Sequence, residues 1–314
     1  MYSAFTKKHC STALHPFGLS QLLSAAFLLV FGILLSVPAI KTLPPALTAG
    51  EYLITQYADA SGAQGTCYTI ENGEEFYIID GGWAENEAAL RKIIAAHGNH
   101  VNGWVISHPH RDHAGAFNAI YANPGDIVVD AVYDNGFDYD FIESVGEPYD
   151  DITVMERYVA LTADDPKVTH LKRGDVFSLG ALSAKVLNAW DEYVLYTVGD
   201  EKDYQNNGSL LLLIENQNSS MLFCSDIKYD MNDLLSEMAL PEISCDYVQV
   251  GHHGNWSFSA DFYEKTGASV FFFDAPAEIT ESDNFPAKEL REAFLQKNCN
   301  VYDFSTAPNR VRLD

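Results

Sequence analysis

The heptapeptide Ser107-His-Pro-His-Arg-Asp-His113 places three imidazoles and a carboxylate between His108 and His113. These are borderline-hard donors, suited to Zn²⁺ and, with more oxygen, to Mn²⁺ or Fe²⁺. His108 and His110 are two residues apart. In extended backbone their side chains point the same way and can chelate one ion. Asp112 and His113 follow at the turn and can face a second. Two cations about 4 Å apart can share a water and lower its pKa enough to give hydroxide at neutral pH. They can also clamp a phosphoryl or carbonyl oxygen.

Such a cluster needs elements to hold it. Residues 101–106 are apolar and β-branched enough for a buried strand, and residues 114–121 read as the start of a helix. The donors therefore occupy a strand-to-helix turn, where α/β proteins place their chemistry. Three further apolar strands end in donor residues: 76–79 before Asp80, 221–224 before Ser225-Asp226, and 245–250 before Gly251-His-His-Gly254. With these ends on one edge, His108 and His110 hold the first ion. Asp112, His113 and one of the later pair, preferably His252, hold the second, and Asp226 bridges the two. His253 or Asp112 is left for proton transfer. Taken alone, Asp80 also reads as the cap of a glycine turn and Asp226 as a helix cap; their shared placement after apolar strands favours the site.

The rest of the chain agrees with one mixed domain. Residues 51–57 and 66–70 alternate as strands, and Asn72-Gly73 marks a hairpin turn. Residues 84–97, 152–161, 231–240, 258–266 and 287–296 read as helices. Residues 127–133, 175–180, 182–187, 209–214 and 269–273 read as strands. The acidic, aromatic stretches 138–151 and 191–205 read as loops that can border a cleft. Two similar halves of mixed strands and helices predict two facing sheets in a single domain, residues 46–314.

Residues 22–35 are apolar throughout and follow Lys7 and Lys8; small residues and Pro44-Pro45 come after. Residues 1–45 are therefore expected to be an export signal or a single membrane anchor, with the domain outside the cytoplasm, secreted or tethered. The chain has 19 basic and 44 acidic residues and a net charge of −25. Such a surface disfavours tight binding of duplex nucleic acid. None of the five cysteines forms a CxxC pair. Cys67, Cys224 and Cys245 fall in or beside strand-like runs and are expected as buried thiols.

The motif SHPHRDHAG resembles the HxHxDH signature of the metallo-β-lactamase fold. Asp80-Gly-Gly is similar to that family's early Asp-Gly turn, and Ser225-Asp226 to the position of its bridging Asp. Gly251-His-His-Gly254 and the run Asn206-Asn-Gly-Ser-Leu resemble the subgroup that includes the hydrolase domain of ComEC-type DNA-uptake competence proteins. The resemblance covers residues 50 to about 310. It implies a four-layer αββα sandwich with its site on one rim, and two divalent ions, Zn first, with Mn or Fe as alternatives. The wider family often has another His where Asn206-Asn207 stands, which implies a weaker first-ion site; His170 lies before a different strand. The implied activity is hydrolysis of a phosphodiester: a nucleic acid, a small phosphodiester or a cell-wall phosphoester. A lactone, ester or β-lactam is the alternative substrate, and a non-catalytic metal-binding module the alternative of another class.

Overall fold

Strands that are apolar at every position, rather than every second one, need cover on both faces. The strand Phe76–Asp80 is buried along its whole length, as is Gly103–Ile106. In the computed structural model, which describes residues 47–199, 202–304 and 307–314, both lie in a sheet covered on each side. The expected leader at residues 1–45 lies outside the described residues, as does Cys10.

The strands are β1 (Tyr52–Gln56), β2 (Cys67–Glu71), β3 (Phe76–Asp80), β4 (His100–Val101), β5 (Gly103–Ile106), β6 (Val128–Val129), β7 (Val132–Asp134), β8 (Val168–His170), β9 (Val176–Leu179), β10 (Leu182–Asn188), β11 (Leu211–Glu215), β12 (Ser220–Phe223), β13 (Tyr247–Gln249), β14 (Val270–Pro276), β15 (Asn300–Phe304) and β16 (Asn309–Leu313). One seven-stranded sheet has the order β16-β1-β2-β3-β5-β7-β8 and the other β15-β14-β13-β12-β11-β10-β9; β4 and β6 form a short separate ladder. The sheets face each other across a core in which Tyr77, Ile79 and Val105 meet Leu212, Ile214 and Phe223. The alternate residues point outward. Ile78 and Trp104 pack under Leu90 and Ile94 of α1 (Glu87–Ala96) and Phe117 and Ile120 of α2 (Arg111–Ala122). Leu213, Val248 and Phe271 pack under Leu235, Phe262 and Phe294 from the later helices. The result is the four-layer αββα sandwich expected from the sequence.

Several local readings change. Helix α2 starts at Arg111, not at 114, so Asp112 and His113 belong to its first turn. The strand expected over 127–133 is broken: β6 pairs with β4, and β7 pairs with β5 in the main sheet. The stretch 138–151 contains α3 (Tyr139–Val145), capped by the Asp138 carboxylate accepting from the Phe141 N–H, then a helical turn at Pro148–Asp150. Helix α4 (Ile152–Thr162) follows. The stretch 191–205 holds the helix Glu192–Val198, capped by Asp191, and enters the short helix Tyr204–Asn207. In both stretches a carboxylate that reads as loop chemistry is a helix cap. Cys67, Cys224 and Cys245 are buried thiols.

The first turns of α2 lie directly on the chain after β3. A Cβ on Gly115 would stand 2.5 Å from the Ala84 nitrogen and 2.8 Å from the Trp83 carbonyl carbon, both backbone. Gly115→Ala is therefore expected to destabilise the domain by about 1–3 kcal/mol through overpacking. Urea denaturation reads this as a lower midpoint at unchanged slope; a wild-type midpoint would refute the close packing.

Candidate metal centre

Parallel pairing sets β3, β5, β7 and β8 running one way in the first sheet, and β12, β13, β14 and β15 in the second. The turns that follow β3, β5, β12 and β13 meet between the sheets. There Asp226 Oδ2 lies 3.1 Å from His113 Nε2, 3.3 Å from His253 Nε2 and 4.0 Å from His108 Nε2. Asp112 Oδ2 lies 3.3 Å from His253 Nε2. Donors around a tetrahedral ion with bonds of 2.0–2.1 Å stand about 3.3 Å apart. The pairs Asp226–His113, Asp226–His253 and Asp112–His253 stand near that spacing, and the ligand atoms of Asp112, His113, Asp226 and His253 all lie within 4.8 Å of one another. The Nε2 atoms of His108, His113 and His253 and Oδ1 of Asp226 are buried and lack a well-formed hydrogen bond. Buried polar atoms aimed at one point are expensive unless something satisfies them, and a divalent ion suits this donor set.

The backs of the rings explain their aim. His113 donates from Nδ1 to Asp80 Oδ2 at 2.8 Å, and Asp80 also accepts from the Ser107 backbone N–H at 2.7 Å and the Ser107 hydroxyl at 2.8 Å. His253 donates from Nδ1 to the Asp274 carbonyl at 3.1 Å. Each tether fixes the tautomer and turns Nε2 inward. Asp80 thus orients a donor from behind. The backbone is strained at these turns: Asp80, Ser225, His252 and His253 have φ of 54°, 50°, 47° and 55°. Left-handed non-glycine residues cost about 1–3 kcal/mol each and gather at functional sites.

That strain decides between the adjacent histidines. With two consecutive left-handed residues, the His253 ring enters the cluster. The His252 ring lies 6.0 Å away on the cavity wall, its Nδ1 donating to the Asn255 carbonyl at 2.5 Å. Of the adjacent pair, the structure brings His253 into the cluster with Asp112, His113 and Asp226, and leaves His252, the donor preferred from the sequence, outside it. The sequence offers no periodicity by which two residues in an irregular turn could be told apart.

His108 and His110 stand beside this group, their ring centroids 4.6 Å apart. His110 occupies the N-cap position of α2, its ring making no capping hydrogen bond. Asn206, where the wider family often has another His, is buried with its Oδ1 unpartnered, on the same cavity wall as His110 and Asp226. The His113 ring, 4.2 Å from that of His108, lies on the other side, toward Asp226. His170 is bonded to Asp134 on β7.

The electrostatics are those of a compact zwitterion. Burial opposes charge on His113, but Asp226 and Asp80 outweigh it and hold its pKa well above the ordinary value. His253, equally buried, is raised by Asp226 and Asp112 to about 10. Against the same burial, His113 and His253 keep Asp226 well below the usual carboxylate range. Burial and its neighbours His113 and His110 push His108 down.

A cavity of about 420 Å³ opens onto the group. Its wall includes residues to which the sequence reading assigned no role: Trp83, Arg111, Tyr149, Lys228 and Trp256. Arg111 stacks over the Trp83 ring at 4.7 Å. Tyr149 comes from one of the two acidic, aromatic stretches expected to border a cleft, and Asp203 from the other.

Residues 60–129, which include the whole His-rich turn, match the family model of the metallo-beta-lactamase superfamily. CmlA, a diiron beta-hydroxylase from Streptomyces venezuelae, superposes with a TM-score of 0.50 at 13% identity, covering 83% of this chain and 54% of CmlA. The fold is the metallo-β-lactamase fold. The metallo-β-lactamase fold protein YhfI from Bacillus subtilis gives a TM-score of 0.49 at 10% identity, over 83% of this chain and 99% of YhfI. This chain spans about half the length of CmlA. No curated protein matches the sequence. The metallo-β-lactamase fold implies divalent ions, and one donor set here fits: Asp112, His113, Asp226 and His253 would hold an ion, with His108 and His110 beside them.

An ion entering between His113 and His253 must displace the protons their carboxylate neighbours stabilise. Zinc titration of chelator-treated protein near pH 7 is expected to release about two protons for the first equivalent bound. Calorimetry in two buffers of different ionisation enthalpy measures that number. Buffer-independent heats would contradict the protonated pair.

Proposed function

We propose that the chain is a metal-dependent hydrolase of the metallo-β-lactamase superfamily that acts on a small phosphodiester. One observation carries the choice of an anionic substrate. In a protein of net charge −25, two cations, Arg111 and Lys228, stand on the cavity wall beside the metal centre. Burial works against the Lys228 charge, but Asp203, with which it pairs, raises its pKa and keeps it cationic. A neutral ester has no need of such a wall; a phosphodiester does. The sequence resemblance to the competence-protein subgroup supports the same class. The acidic surface favours a small phosphodiester or a cell-wall phosphoester over duplex nucleic acid.

Divalent ions, when held by the centre, would lower the pKa of water toward neutrality and polarise a phosphoryl oxygen. The protein's own groups supply the rest. Arg111 and Lys228 neutralise the remaining phosphate charge and orient the diester. The aromatic rim of Trp83, Tyr149 and Trp256 excludes water from the leaving group's side. His252 is the proton carrier in this reading. Its Nδ1 is committed to Asn255, so Nε2 is left as a base toward the cavity. Burial lowers its pKa, with Asp226 opposing, so the ring is neutral at pH 7. The reading also includes export, with residues 1–45 cut off or kept as an anchor; cell fractionation tests it.

A panel of bis-p-nitrophenyl phosphate, p-nitrophenyl acetate, a lactone and a β-lactam separates the substrate classes. Hydrolysis of the phosphodiester is expected. Activity confined to the acyl substrates would replace this reading with the ester or lactam alternative. Lys228→Ala should lower kcat/KM about tenfold to hundredfold, mainly through KM, as befits a lost charged hydrogen bond.

His252→Gln should lower kcat about a hundredfold. It should also remove the acid limb of the pH profile. That limb follows the neutral form, which is present above the lowered pKa and lost as pH falls through it. In the wild type the limb should therefore lie below the ordinary histidine value of about 6.5. An unchanged profile in the variant would exclude His252 as the carrier.

A further inference from the structure

The first ion has only His108 and His110 as imidazole donors. The Ser107 hydroxyl holds His108 at Nδ1, 3.0 Å away, and His110 needs a tether of its own. One contact supplies it. His110 Nε2 lies 3.0 Å from Asp150 Oδ1, in good hydrogen-bond geometry, with both side chains buried. Asp150 belongs to the helical turn Pro148–Asp150, on the segment between β7 and α4. Its other oxygen, Oδ2, accepts from the Glu147 backbone N–H. Each carboxylate oxygen thus has its own task, and Oδ1 faces the imidazole alone. Because the carboxylate accepts, His110 Nε2 carries the proton and Nδ1 carries the lone pair. The ring is held by one nitrogen, and the other is left to an ion.

We propose that Asp150 is the positioning residue of the first ion: it fixes the tautomer and ring orientation of His110, so that a site with two imidazoles keeps its ion. This rests on the metallohydrolase reading above. The physical case is one of entropy and basicity. An unanchored imidazole must be ordered when the ion arrives, whereas a carboxylate-bound one is ordered already and is the stronger donor. The second ion has its anchors in Asp80 and the Asp274 carbonyl, so loss of Asp150 should leave it untouched. The same turn also sets the cavity wall, because Tyr149, the residue before Asp150, lines it.

The test is ion binding by the full chain, read by calorimetry and elemental analysis, with Co²⁺ absorption as a signature of each site. Wild type is expected to take up two ions. Asp150→Ala should bind the second ion as wild type does and the first about tenfold to hundredfold more weakly. Asp150→Asn keeps an acceptor oxygen of the same size and should recover most of that loss. It is also the variant to read if the alanine protein does not fold. Asp150→Ala with both affinities and the Co²⁺ spectrum unchanged would overturn the proposal. Equal weakening of both ions would do the same, because it reports a general structural role. A wild-type protein that takes up one ion or none brings down the two-ion reading itself, a distinct failure visible before any variant is made.

Discussion

Asp226 is a carboxylate 2% exposed, held between the imidazoles of His113 and His253 at hydrogen-bonding distance from both. A buried charge of this kind is untenable without partners. Everything else in the molecule can be read as the means of bringing those partners to it. His113 arrives on the first turn of a helix, His253 on a strained turn in the other sheet, and Asp226 itself after a third strand end. His113 is more than a hundred positions from the other two in the chain. Only two sheets stacked face to face, with strands running in parallel, put those ends on one rim.

The strain and the tethers belong to the same requirement. Four non-glycine residues in the left-handed region surround the centre. Each is unfavourable on its own, and the surrounding core must over-determine them. The apolar layers do so: the inner faces interdigitate between the sheets, and the outer faces are sealed by helices. The rigidity of the sandwich is thus spent on holding rings at fixed angles. Asp274, buried beneath the site, shows how far the support extends. It accepts from Gln56, Thr66, Tyr68 and Gln249, joining strands of both sheets.

Much of this was legible in the sequence, for a reason that can be stated. Strands buried on both faces are apolar throughout, so β3, β5 and β12 stand out, and the donors at their ends stand out with them. What was not legible had no such contrast. The short helices within 138–151 and 191–205 are rich in acidic and aromatic residues, which mimic loop composition, yet the first stretch supplies both Asp150 and Tyr149 of the cavity wall. The strand β8 is largely exposed, and β16, with the sequence Asn-Arg-Val-Arg-Leu, is polar at alternate positions and lies at a sheet edge. Neither carries the signature of a central strand. The roles of His252 and His253 depend on two backbone angles that residue type does not encode.

The edge position of β16 has a consequence for how the chain is made. The first sheet is built from residues near the start of the domain, but its margin is completed by pairing Tyr52 with Leu313. While the ribosome works through the intervening residues, β1 waits with an unpaired row of amides, a template for any passing strand. Closure over so long a separation is slow. A nascent or partly made chain is therefore exposed to mispairing at that margin until residues 309–313 emerge, and whatever shields β1 in the interval governs the yield of folded protein.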